Sequence, residues 1–119
     1  MRQIFGLLTV VVFLLAAVSA PVSQVGAGDE KGKNHMVEMY DNYFKPKEIT
    51  IAAGDTITWV NRGKRTHDAA SDDKGKTFST GPVNKGRTSK AIRFTKAGQI
   101  GYVCTYHEED DMKGTIIVK

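Results

Sequence analysis

From residue 35 onward, apolar and polar residues alternate in short runs, and each run ends in a cluster of turn-forming residues. Alternation with a period of two is the signature of half-buried strands. It predicts a first strand over His35 to Tyr40. A second extended run follows Pro46, from Glu48 to Ile51, with Ile49 and Ile51 on one face. Ala53-Gly54-Asp55 then turns the chain into Thr56 to Asn61, where Ile57 and Trp59 alternate with Thr56 and Thr58. Residues 62–87 are rich in Gly, Ser, Asp and Lys, which predicts loop with brief strand pieces near His67 and Phe78. Alternation resumes over Ser89 to Phe94, with Ile92 and Phe94 inward, and Lys96-Ala97-Gly98 makes the next turn. Gln99 to Cys104 places Ile100, Tyr102 and Cys104 on one face, and Lys113 to Lys119 closes the chain. This part of the sequence has no sustained helical period, so the expected fold is all-β, a sandwich or barrel.

The N-terminus reads differently. Arg2 is followed by a continuous apolar stretch from Ile4 to Val18, then by small residues. That is the layout of a secretory signal peptide over residues 1–27, with cleavage expected after Ala20 or Ala27. The stretch is short beside the roughly 20 apolar residues of a membrane-spanning helix. Residues 28–34 are polar and glycine-rich, a flexible lead-in, and residues 35–119 form the single expected domain. Such a domain is near the lower end of what an apolar core alone supports. The expected location is periplasmic or secreted, without membrane attachment once the signal is removed.

Charge narrows little. The chain of 119 residues has 17 basic and 13 acidic side chains, a formal net of +4. No basic residues interleave with aromatics as a nucleic-acid surface requires, so nucleic acid is excluded. The arrangement says more than the sum. Arg62, Lys64 and Arg65 precede His67, whereas Glu108, Glu109, Asp110 and Asp111 follow His107.

The chain has one cysteine, which excludes an internal disulfide in a compartment where small domains often carry them. Metal ligation explains a lone exported cysteine better than a free thiol does. Cys104, His107 and Met112 stand as C-x2-H-x4-M, so a thiolate, an imidazole and a thioether leave the end of one strand within a short loop. Soft sulfur with imidazole favours copper, and a thioether is a poor zinc ligand. A second imidazole is needed, and His67 is the remaining candidate inside the domain. His35 lies near Met36 and Met39, which suggests an accessory copper site, but a histidine at a domain's first residues is more simply an exposed one.

The sequence resembles the blue-copper proteins, the cupredoxins, and in particular their plastocyanin, pseudoazurin and amicyanin branch. The resemblance rests on Tyr43-Phe44-Lys45-Pro46, Ile49-Thr50-Ile51, Ala53-Gly54-Asp55-Thr56 and Thr58-Trp59-Val60-Asn61. It continues through Phe78-Ser79-Thr80-Gly81, Gly98 to Cys104, and Met112 to Ile116. It implies a Greek-key β-sandwich binding one type 1 copper ion, with His67, Cys104 and His107 as equatorial ligands and Met112 as the axial one. Two positions depart from the family's habit. Asp68 stands where the family often has Asn tying the two ligand loops together, and Tyr106 stands where it often has Pro.

The function so implied is a single-electron carrier, not an enzyme. It would be a monomer meeting a redox-protein donor and acceptor through transient, partly electrostatic contacts. A copper-storing or copper-delivering protein is the alternative, since it needs the same ligands. Copper oxidases and nitrite reductases need further histidines for a second metal centre, and only His35 is left over.

Overall fold

The computed structural model of the protein describes residues 32–119. The proposed signal segment lies outside the described residues. Eight strands follow in order: β1 (Asn34–Met39), β2 (Phe44–Lys45), β3 (Glu48–Ile51), β4 (Thr56–Asn61), β5 (Ala70–Ser71), β6 (Ile92–Arg93), β7 (Gly98–Val103) and β8 (Lys113–Val118). They form two four-stranded sheets, β2-β1-β4-β6 and β3-β8-β7-β5. Among the described residues the helical structure is one short 3-10 turn, Glu108–Asp110. The all-β sandwich expected from the alternation is the fold.

The inward residues of the two sheets make one core. Trp59 stacks on Phe78 with ring centroids 5.3 Å apart and meets Tyr102 edge-on at 5.6 Å. Phe44 adds a second edge contact to Tyr102 at 4.7 Å. Offset and edge-on aromatic contacts of this kind add to the burial of area that drives a small domain to fold. Gly114 lies directly across from Tyr102 in the β7–β8 pair. A Cβ there would come within 2.4 Å of the Tyr102 ring, so the position requires the smallest residue.

Two details differ from the alternation. β4 is buried almost throughout, including Thr58, Val60 and Asn61. It is an inner strand, with β1 on one side and β6 and the Thr88–Ser89 stretch on the other. Its polar positions are satisfied locally, Thr58 Oγ1 donating to Asn34 Oδ1 at 3.1 Å. The Ser89 to Phe94 run is a regular strand only over Ile92–Arg93. Before that, Ser89 N–H donates to the Trp59 carbonyl at 2.7 Å, and the Ser89 hydroxyl accepts the Trp59 N–H at 2.9 Å in return.

Topology decides where the loops meet. β1 and β4 run parallel, with Met39 beside Asn61 at their ends. β5 pairs with β7 through Ala70 and Val103. The turn after β1, the loop from β4 to β5 and the loop leaving β7 therefore converge at one end of the sandwich. His67 and Cys104 stand on two of these loops.

Candidate metal centre

The pairing of Ala70 with Val103 brings His67, three residues before one, close to Cys104, one residue after the other. His67 is held by a two-residue bridge to Val83, with hydrogen bonds of 3.2 and 2.7 Å between their backbones. Its Nδ1 stands 3.7 Å from Cys104 Sγ. The His107 ring lies 4.8 Å from the His67 ring, centroid to centroid. One donor atom from each of His67, Cys104 and His107 falls within 4.8 Å of the other two. His67, Cys104 and Met112 are fully buried, and His107 exposes a tenth of its side chain.

The loop that carries these groups closes on itself. Cys104 N–H donates to the Met112 carbonyl at 3.0 Å, which brings Met112 back beside Cys104. His107 N–H donates to the Cys104 carbonyl at 3.1 Å. Between them the chain makes the 3-10 turn and leaves it through Asp111 in the left-handed conformation, φ 60°. Asp68 then ties the His67 loop to the Cys104 loop. Its Oδ1 accepts the Thr105 N–H and its Oδ2 the Thr105 hydroxyl, both at 2.7 Å. A carboxylate serves here because both partners are donors.

The electrostatics suit a metal more than a proton. Burial pushes the Cys104 thiol up, opposed by the backbone N–H groups of Asp68 and Tyr106 aimed at its sulfur. Burial likewise pushes the His67 imidazole down, against the pull of a hydrogen bond to Asp41. That bond runs from His67 Nε2 to Asp41 Oδ1 at 3.1 Å. The Asp41 carboxyl is held down at about 2, first by His67 and then by the Lys64 N–H. On the loop after Cys104, His107 Nε2 is buried without a hydrogen-bond partner, while Nδ1 lies 3.8 Å from Asp110 Oδ2. A buried, unpartnered imidazole nitrogen beside a buried sulfur and a second imidazole is a donor set that fits a soft metal ion, and copper best.

Comparison with known proteins decides the family. The model of the Cupredoxin-like domain family matches residues 6–118. The chain is a cupredoxin. It is 34% identical over 107 residues to amicyanin of Paracoccus versutus, covering 88% of this chain and 72% of that one. It is 33% identical over 84 residues to plastocyanin of Scenedesmus fuscus, covering 64% of this chain and 86% of that one. Among solved structures, the Cu(I) form of an amicyanin mutant superposes with a TM-score of 0.61 at 26% identity, over 75% of this chain and 84% of that one.

The structure of this cupredoxin corrects the reading of His35. It is not a free terminal histidine but a half-buried side chain whose Nε2 lies 2.9 Å from Asp55 Oδ2. Met39 is wholly buried in the core, so the three residues do not form an exposed copper site. Among the described residues, His67, Cys104 and His107 are the one group of such donors close enough to share an ion. The acidic run divides in use. Asp110 faces His107, Asp111 pairs with Lys113 at 3.2 Å, and Glu108 and Glu109 are exposed. Asp41 is the residue that sequence reasoning missed. It stands far from His67 in sequence, and nothing in its local pattern marks it.

Proposed function

We propose that this cupredoxin carries single electrons between redox proteins, and that His67, Cys104 and His107, with the thioether of Met112, would hold one copper ion. The observation that carries the reading is the meeting of a thiol and two imidazoles from two separate loops within 4.8 Å in a largely buried setting. When bound, copper supplies the one-electron couple between Cu(II) and Cu(I).

The chain's own residues do the rest. The bridge from His67 to Val83 and the clasp of Asp68 on Thr105 hold both ligand loops in place, so the donors need not move between oxidation states. Burial of Cys104 excludes water from the sulfur. His107 alone among the three donors reaches solvent, so its ring edge is the shortest route for an electron into or out of the centre. Exposed Tyr106 and the carboxylates of Glu108 and Glu109 surround that edge in sequence, which suits a cationic partner held briefly. A copper-delivering role fits less well, because cargo transfer needs ligands that an acceptor can reach. The apolar Ile4 to Val18 stretch supports export to the periplasm or beyond, with the mature protein acting as a soluble monomer.

The test is the visible absorption spectrum of the copper-loaded protein. An intense band from thiolate-to-copper charge transfer is expected. A protein that binds copper without that band, or that binds zinc alone, would overturn the assignment.

A further inference from the structure

Asp41 sits in the turn between β1 and β2, and its Oδ1 is the meeting point of three donors. Lys64 N–H donates to it at 2.8 Å, Arg65 N–H at 3.2 Å, and the third partner is His67 Nε2 at 3.1 Å. The loop that delivers His67 is thus tied to the β1–β2 turn. Arg62 N–H reinforces the tie by donating to the Met39 carbonyl at 2.8 Å. Asn61 clamps the loop from within, accepting the Gly63 N–H and donating to the carbonyls of Arg65 and Val83. Gly63 packs against the Asp41–His67 pair so closely that a Cβ there would lie 2.3 Å from Asp41 Oδ1.

This arrangement has two chemical consequences. A neutral imidazole carries one N–H and one lone pair. A carboxylate cannot donate, so His67 must direct its N–H from Nε2 to Asp41, which leaves the lone pair on Nδ1, the nitrogen facing Cys104. A carboxylate acceptor also makes the opposite nitrogen a stronger donor to a metal than a neutral acceptor would. Arg62, Lys64 and Arg65 place positive charge on the same loop, which favours the less positive ion, and Asp41 opposes them at the nearest point.

We propose that Asp41 is a positioning residue of the copper centre: its carboxylate fixes the ligating tautomer of His67 and, by strengthening Nδ1 as a donor, favours Cu(II) and lowers the reduction potential. The inference rests on His67 being a copper ligand. Its experiment therefore has one arm that needs no metal.

In the metal-free protein, the nitrogen chemical shifts of the His67 ring should show the proton on Nε2. Asp41→Ala should give a mixture of tautomers, whereas Asp41→Asn, whose amide oxygen still accepts, should keep it. In the copper-loaded protein, both variants should bind Cu(II) about 10- to 100-fold more weakly, the range for lost partners of ligating histidines. Cu(I) affinity should fall less. The potential should then rise, by about 59 mV for each tenfold of that difference. Thermal melting of Asp41→Asn controls for a role in folding alone, since a purely structural residue would lower the melting temperature without moving the potential. An unchanged potential in Asp41→Asn, or an unaltered tautomer in Asp41→Ala, would overturn the proposal. Failure of the wild-type protein to bind copper would instead overturn the ligand assignment, leaving the tautomer arm to decide the role of Asp41.

Discussion

In the proposed copper centre, Cys104 is the residue on which the optical and redox behaviour would turn. It is fully buried, its thiol is pushed up by burial, and two backbone N–H groups stand ready to stabilise the thiolate. Copper binding must therefore displace a proton at this sulfur, and affinity should strengthen with pH. Cys104→Ala is expected to abolish the visible band, read directly by absorption, because the thiolate is its source. Met112→Leu should retain copper and raise the reduction potential, since loss of the thioether donor disfavours Cu(II). Voltammetry of that variant checks it, and an unmoved potential would mean that Met112 is not a ligand. Leucine is close to methionine in volume, so this substitution should disturb the packing by less than about 1.5 kcal/mol.

At the scale of elements, the strand pair β7–β8 and the turn before β4 carry separable loads. Tyr102 fills the space over Gly114, so Gly114→Ala forces the ring against an unyielding core. The expected loss is about 1–3 kcal/mol of stability, measured by denaturant unfolding, with the copper band retained in the folded fraction. At the opposite end from the metal centre, Asp55 accepts the Lys33 and Ala52 N–H groups and pairs with His35. Its carboxyl is lowered to about 2, first by the hydrogen bond from His35. A depressed carboxyl stabilises the folded state above the unfolded value near 4, and that contribution fades as pH falls toward 2. Asp55→Asn should therefore flatten the fall in melting temperature between about pH 4 and 2. An equally steep acid limb in the variant would show that Asp55 does not supply it.

Over the whole molecule, the two loops of the proposed copper centre differ in sign. Basic residues gather before His67 and acidic ones after His107, within a chain of formal net charge +4. Because His107 is the exposed edge of the centre, its acidic neighbours should control encounter despite the opposite overall charge. Reduction by a cationic inorganic complex should slow with added salt, over the range where the screening length falls to about 10 Å. Neutralising Glu108, Glu109, Asp110 and Asp111 as Gln and Asn should lower that rate by about tenfold at low salt and flatten its salt dependence. Stopped-flow kinetics read both, and a variant with the wild-type salt slope would remove the acidic run from docking.

Much of this could be read from the order of residues. Period-two alternation determined the all-β fold, because a strand with one face in the core repeats its chemistry every second residue. The lone Cys104 with His107 and Met112 in a short loop determined the soft donor set, since neighbours in sequence need no fold to stand together. Other features depended on the folded chain. His67 reaches Cys104 only through the pairing of Ala70 with Val103. The burial of Thr58 and Val60 came from the inner place of β4, and the pairing of His35 with Asp55 from the parallel run of β1 beside β4. Asp41 meets His67 because two turns far apart in sequence close over the same end of the sandwich. The physical reason is common to all four: a pattern along the chain records which way each side chain faces, whereas a contact between distant segments exists only once the sheets have packed.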